Sequence, residues 1–193
     1  MTCLHLSVCF RPGPLTRLLV FAAAAGTAAL PADAAAPDLL LYQFNPLIPA
    51  KPIALKEYAG KVILVVNTAS QCGYTPQYEG LEKLHKKYQS RGLVVLGIPA
   101  NDFGAQEPGS NQDIAQFCTA NFGVSFLMTE KLATPIQQNP LYAQLIKISG
   151  QAPQWNFHKY LIGKSGKVSS YQSGVEPMGR ELIAAVEAAL AAK

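Results

Sequence analysis

Cysteine is the residue type in this 193-residue chain with the widest chemistry, and there are four: Cys3, Cys9, Cys72 and Cys118. As a thiolate, cysteine attacks electrophiles and cycles through sulfenic acid and disulfide. Cys72 is placed for reactivity. An apolar, β-branched run, Lys61 to Asn67 (KVILVVN), reads as a buried strand, and Pro76 opens a helical pattern that continues through Gln89. Cys72 lies in the intervening loop, Thr68 to Thr75, at the carboxyl end of a strand where reactive groups collect. The N–H groups and dipole of a helix start favour an anion and lower a thiol's pKa. The plainer alternative is an inert buried cysteine or half of a structural disulfide. Cys72-Gly73-Tyr74-Thr75 has the spacing of a dithiol exchange motif, with Thr75 where the second cysteine would stand. A resolving thiol must therefore come from elsewhere.

The N-terminus decides which thiols remain. Arg11 and Arg17 precede an uncharged run, Leu18 to Leu30, that is too short to span a bilayer but suits the core of a signal peptide. Ala32-Asp33-Ala34 then reads as a small-residue cleavage site, so residues 1–34 are expected to be a cleaved leader and residues 35–193 one exported, periplasmic domain. Cleavage removes Cys3 and Cys9 and leaves Cys72 and Cys118 in an oxidising compartment. An uncleaved anchor or an organelle transit peptide is the competing reading. Arg11, Arg17 and Asp33 fall in the leader, so the remainder keeps 14 basic against 11 acidic residues. That weak excess, with no basic block longer than Lys86-Lys87, argues against nucleic acid or membrane-surface partners. Apolar residues at 49% and charged residues at 15% indicate a packed globule.

Several further elements must position Cys72. Leu81, Leu84 and Tyr88 form the apolar stripe of the helix after it. Leu93 to Ile98 is a second buried strand, giving a βαβ unit and hence a parallel pair. After a polar loop, Pro99 to Gly109, Ser110 and Asp113 form a capping box for a helix to about Asn121, with Gly123 beyond its end. Its apolar stripe is Ile114, Phe117 and Cys118. A further strand is expected near Val124 to Met128 and a helix over Pro140 to Ile148. Phe157 to Ile162 and Lys167 to Tyr171 flank a Gly-Lys-Ser-Gly turn as an antiparallel hairpin. A last helix covers Gly179 to Ala192, while Pro37, Pro46 and Pro49 keep residues 35–50 extended. A βαβ unit, an inserted helix and a ββα unit describe an α/β, thioredoxin-like fold with a central mixed sheet and flanking helices.

Three stretches carry a more specific resemblance. Asn67-Thr68-Ala69-Ser70-Gln71-Cys72-Gly73-Tyr74-Thr75 closely resembles the active-site segment of glutathione peroxidases. Pro99 to Gly109 (PANDFGAQEPG) and Trp155 to Leu161 (WNFHKYL) resemble two further segments of that family, in the same order and at matching separations. The resemblance spans residues 38 to 192 and implies a thioredoxin-like fold and the reduction of hydroperoxides. Carried over, the family's catalytic tetrad falls on Cys72, Gln106, Trp155 and Asn156. The chemistry is sensible by itself: amide and indole N–H donors can stabilise a thiolate and then a departing oxyanion without titrating. Taken singly, Trp155 could equally be a core aromatic, and Gln106 and Asn156 loop-capping amides.

Cys118 matches the resolving cysteine of thioredoxin-dependent members; the alternative is a small apolar residue on a helix stripe. Ala100 occupies a place often held by a third cysteine, Asp102 replaces a usual Gln, and Leu127 stands where relatives often have Pro. Asp102 could oppose thiolate formation or simply face solvent. The short stretch from Phe126 to Trp155 resembles members without the tetramer loop, which implies a monomer. The expected function is a hydroperoxide reductase that needs no cofactor or metal. Cys72 becomes a sulfenic acid, Cys118 condenses with it, and a thioredoxin-like protein or glutathione restores the thiols. The rival readings are a redox sensor or relay that passes the disulfide to a partner, and a binding module with an inert disulfide.

Overall fold

The computed structural model describes residues 39–192, all within the unit Ala35–Lys193. The expected leader, Cys3 and Cys9 lie outside the described residues. The expected extended N-terminal segment instead holds a 3-10 turn, Leu39–Leu41, and a two-stranded antiparallel ladder, β1 (Gln43–Phe44) with β2 (Ile53–Ala54). Between them, Leu47 donates its N–H to the Met128 carbonyl at 2.8 Å and ties this segment to the main sheet.

The main sheet follows from the two apolar runs. Strand β3 (Val62–Thr68) is buried at every position. Helix α1 (Gln77–Tyr88) crosses over to β4 (Leu93–Pro99), which pairs with β3 in parallel. Helix α2 (Asn111–Phe122) leads to β5 (Leu127–Met128), a parallel edge strand beside β4. Helix α3 (Pro140–Ser149) precedes the antiparallel hairpin β6 (Lys159–Ile162) and β7 (Val168–Tyr171), and α4 (Arg180–Ala191) closes the chain. The order is β5-β4-β3-β6-β7, with β6 antiparallel to β3. This is the thioredoxin-like arrangement, with a mixed sheet flanked by helices.

Alternation along β3 splits the core in two. Val62, Leu64 and Val66 pack with Leu81, Leu84 and Tyr88 of α1 and Leu182 and Val186 of α4. Ile63 and Val65 pack on the other face with Leu141, Tyr142 and Leu145 of α3. Helix α2 is held less firmly. Its buried side chains are Ile114, Ala115 and Cys118, while Phe117, expected in the stripe, is only half-buried. The capping box is present in both directions: Asp113 N–H to Ser110 Oγ at 3.2 Å and Ser110 N–H to Asp113 Oδ2 at 2.9 Å. Strand β5 is shorter than expected because Ser125 leaves the ladder. Its N–H and hydroxyl both donate to the buried Glu82 carboxylate, at 2.8 and 2.5 Å.

Gly97 of β4 has no room for a side chain: an added Cβ would overlap the Met128 sulfur and lie 3.2 Å from the Phe126 ring. Gly97→Val is therefore expected to destabilise the fold by about 1–3 kcal/mol, measurable as a lowered denaturant midpoint. His158, wholly buried at the head of β6, has Nε2 2.7 Å from Ser170 Oγ. Burial, reinforced by neighbouring Lys159, pulls its imidazole from 6.5 down to about 4. The fold holds His158 neutral where the unfolded chain would bind a proton. Its contribution is thus intact above about pH 6.5 and is lost as pH falls toward 4. Melting temperature is expected to drop across that window, and to drop less in His158→Gln.

Candidate active site

Three loops meet at one end of the sheet because of how β3 is paired. Its parallel neighbour β4 ends beside it and releases the loop with Gln106. Its antiparallel neighbour β6 begins there, so Trp155 and Asn156 arrive from the opposite direction. The loop after β3 itself carries Cys72. Backbone bonds lock the three together: Gln71 N–H to the Gln106 carbonyl at 3.0 Å, and Phe157 N–H to the Asn67 carbonyl at 2.7 Å. The Asn67 side chain adds Nδ2–H to the Trp155 carbonyl at 3.1 Å.

Cys72 is a free thiol, nearly buried, just before α1. Tyr74 N–H lies 3.4 Å from its Sγ, a donor aimed at the sulfur. Thr75, standing where a second cysteine would make a dithiol motif, instead builds the loop. Its hydroxyl accepts from Cys72 N–H at 3.0 Å and donates to the Ala69 carbonyl at 2.9 Å. Reading the sequence marked Thr75 only as an absence of thiol; the matching hydroxyl geometry becomes apparent in the folded loop.

The two amides form a pair. Asn156, wholly buried, donates through Nδ2 to Gln106 Oε1 at 3.0 Å and to the Phe103 carbonyl at 3.1 Å. With Oε1 engaged, Gln106 has its Nε2 donors left to offer. Trp155 is 39% exposed, its ring 6.1 Å from that of Phe103. A core role for Trp155 is thereby excluded. Gly104, at φ +69°, passes under the indole, and a Cβ there would come within 3.3 Å of Trp155 Cη2. Backbone strain brackets the amides: Ala105, before Gln106, has φ 52°, and Phe157, after Asn156, has φ 64°. Non-glycine residues in that region persist only where surroundings impose them. Phe157 was expected to start a strand; its left-handed turn delays β6 to Lys159.

Of the other sequence candidates, Asp102 is exposed, and its Oδ1 accepts from Ile136 N–H at 3.0 Å. Ala100 is buried, and Leu127 of β5 pairs with Leu96 of β4. Cys118 is buried in α2 and not bonded to Cys72. Burial pushes its thiol up to about 11, with the charge of Glu107 adding to the rise and the Tyr78 hydroxyl opposing it. Besides Glu82, two buried charges went unforeseen. Lys159 donates from Nζ to Gln77 Oε1 at 2.6 Å and to the Ser173 carbonyl at 3.1 Å, tying β6 to the first turn of α1. Glu107 is wholly buried beside Gln106. A cavity of about 1180 Å³ between residues 45–50 and α2 includes none of the four tetrad positions.

An exposed indole and two interlocked amides, on loops that converge with the loop of a thiol at a helix start, define a thiol-dependent redox site on a thioredoxin-like sheet. Comparison with known proteins narrows this. The family model described as glutathione peroxidase matches residues 41–146, more than half of the chain, including Cys72, Gln106 and Cys118 but ending before Trp155. A glutathione peroxidase-like peroxiredoxin of Schizosaccharomyces pombe is 45% identical over 130 residues, 64% of this chain and 82% of the relative. A hydroperoxy fatty acid reductase of Synechocystis is 44% identical over 141 residues, 72% of this chain and 91% of the relative. The crystal structure of Trgpx in apo form superposes with a TM-score of 0.61 at 31% identity, covering 79% of this chain and 94% of that one. The chain belongs to the glutathione peroxidase family, and it is a thiol-dependent peroxidase.

Proposed function

We propose that the peroxide is attacked by Cys72 and that Gln106, Trp155 and Asn156 supply the hydrogen-bond donors of that step. The observation that carries this reading is the Gln106–Asn156 amide pair, held beside the Cys72 loop by the Gln71–Gln106 backbone bond. The thiolate takes one peroxide oxygen and becomes a sulfenic acid, and the departing hydroxide or alkoxide is met by N–H donors fixed in advance. Hydrogen peroxide and organic hydroperoxides are both substrates in this account. The neighbouring Trp155 and Phe103 rings, 6.1 Å apart, offer an apolar platform for an organic tail, and the Synechocystis relative is named for hydroperoxy fatty acids. Cys118 then condenses with Cys72, and an external dithiol, thioredoxin-like, restores both thiols; glutathione is the alternative donor. The protein acts as a monomer, in keeping with the short stretch from Phe126 to Trp155.

Gln106→Ala, Trp155→Phe and Asn156→Ala are each expected to slow peroxide attack. Loss of one preorganised donor costs about 10²-fold in other enzymes. Rapid-mixing rates of Cys72 oxidation read this, and unchanged rates in all three variants would remove the donor role. The reading as a whole is tested by peroxide consumption with thioredoxin and glutathione systems side by side. Turnover with neither would leave a redox relay or a binding module with an inert disulfide.

Export is part of the proposal, resting on the short apolar run and the Ala32-Asp33-Ala34 site. Protein recovered from the periplasm is expected to begin near Ala35 by N-terminal sequencing. A soluble cytosolic protein with its leader intact would contradict it.

A further inference from the structure

Lys159 is a buried charge that the peroxide chemistry above leaves unused. It belongs to the Trp155 to Leu161 segment and is wholly buried at the start of β6. Taking an ammonium out of water is costly unless an opposite charge compensates. Among the described residues no carboxylate is ion-paired with it; its partners are the Gln77 side-chain amide and the Ser173 carbonyl. Burial pulls the ammonium from 10.5 down to about 8, with the charge of Glu176 opposing, so it keeps its proton at neutral pH. An apolar side chain would pack α1 onto β6 without that cost. What an ammonium adds is direction, because its short bonds hold their acceptors in place.

Those acceptors lead to the thiol, and each link is a contact. Lys159 Nζ donates to Gln77 Oε1 at 2.6 Å. Gln77, the first residue of α1, donates its backbone N–H to the Tyr74 carbonyl at 2.9 Å. Tyr74 N–H in turn lies 3.4 Å from Cys72 Sγ. A second path reaches Tyr74 from the loop between β7 and α4. Lys159 Nζ and Gln77 Nε2 both donate to the Ser173 carbonyl, at 3.1 and 2.8 Å. The next residue is Gly174, where a Cβ would stand 3.8 Å from the Tyr74 hydroxyl. Tyr74 is thus bonded through its carbonyl to α1, and its phenol lies against the loop after β7. Lys159 is bound to both supports. Gln77 is itself buried, and its remaining contact is Nε2 to Glu176 Oε1 at 3.4 Å.

We propose that Lys159 is a positioning residue for peroxide attack: through Gln77 and Ser173 it sets the turn that aims the Tyr74 N–H at the Cys72 sulfur. Lys159 acts through that turn and not on the peroxide. A donor to the charged form of a thiol favours the thiolate, and a donor fixed in advance does so without reorganising at the moment of reaction. The turn from Cys72 to Gln77 precedes α1 and lacks its ladder of bonds, so its geometry depends on what binds it from outside. Lys159 and Gln77 supply that binding from β6 and α1, and the Ser173 carbonyl from the loop after β7. The assignment rests on the reading of Cys72 as the attacking thiol.

Lys159→Met keeps the length of the side chain and removes its donors. The reduced protein receives one equivalent of hydrogen peroxide, and Cys72 oxidation is followed by rapid mixing. The Tyr74 amide is observed by proton–nitrogen NMR in the reduced, folded protein. In Lys159→Met, Cys72 oxidation is expected to be about 10-fold to 10²-fold slower, the scale of a small misplacement at a reacting centre. The Tyr74 amide proton should shift upfield as its bond to the sulfur lengthens. Gln77→Met breaks the same chain from the other end, leaves the Lys159–Ser173 bond, and should have the same two effects. The double variant should be no slower than the slower single one, since residues in one network are not additive. A rate in folded Lys159→Met within twofold of the native sequence overturns the assignment. So does a slowed variant whose Tyr74 amide does not move, which would mark Lys159 as a packing residue, and so does a double variant in which the two losses multiply. Should Lys159→Met fail to fold, Gln77→Met decides by the same rate and the same amide signal. If Cys72 of the native-sequence protein is not oxidised at all, the reading of Cys72 falls and this assignment with it.

Discussion

Cys72→Ser is expected to abolish peroxide turnover and leave the fold in place. A serine hydroxyl does not ionise near neutral pH and cannot make the sulfenic acid on which the cycle depends. The exchange is close to isosteric, and the Tyr74 N–H that points at Sγ, 3.4 Å away, would meet Oγ instead. The surrounding loop is held by Thr75, through Cys72 N–H and the Ala69 carbonyl, neither of which the substitution touches. The melting temperature should therefore move little while activity vanishes. No other free thiol among the described residues stands in an equivalent place, since Cys118 is enclosed in α2. Turnover near that of the native sequence would end the assignment of Cys72.

The second large effect concerns α2. Peroxide is expected to open this helix, and Cys118→Ser to prevent the opening and to cut dithiol-driven turnover to whatever an external thiol achieves by attacking Cys72 directly. A disulfide needs Cα atoms within about 7 Å. Cys118 lies in the second half of a continuous helix, and Cys72 lies in a loop after β3. The helix is poorly anchored for such a length. Ile114, Ala115 and Cys118 are its buried side chains, and cavities of about 240 and 270 Å³ lie against it, the first touching Ile114 and Phe117, the second Ala115, Cys118 and Thr119. Segments with few buried contacts open at well below the global stability. Hydrogen exchange should show residues 110–122 losing protection on oxidation, and the first oxidation of Cys72 should stay fast in Cys118→Ser. A protected helix in a protein carrying the Cys72–Cys118 disulfide would refute the opening.

What the sequence revealed depended on the range of the forces involved. The β3–α1–β4 unit was legible because Val62 to Val66 and Leu93 to Ile98 are apolar runs and Pro76 marks a helix start. The start of α2 was legible because Ser110 and Asp113 act across three residues. Cys72, Gln106, Trp155 and Asn156 were legible as segments, and the pairing of β3 with β4 and β6 explains why those segments converge. The rest required long-range contacts. Two-residue strands such as β1 and β2 carry no period to detect. Ser125 left its expected strand for a carboxylate 43 residues away in the chain. Glu107 and Lys159 carry no local signal of burial in the sequence, and their burial follows from the loop and hairpin that enclose them. The left-handed turns at Ala105 and Phe157 had no glycine to announce them.

The most direct measurement is chemical trapping of the first intermediate. The reduced protein receives one equivalent of hydrogen peroxide in the presence of dimedone and is mapped by peptide mass spectrometry, with Cys118→Ser run alongside to prolong the intermediate. The account predicts a sulfenic acid adduct on Cys72, stoichiometric in Cys118→Ser and transient in the native sequence as the disulfide takes over. An unmodified Cys72 thiol after the peroxide has been consumed would contradict it.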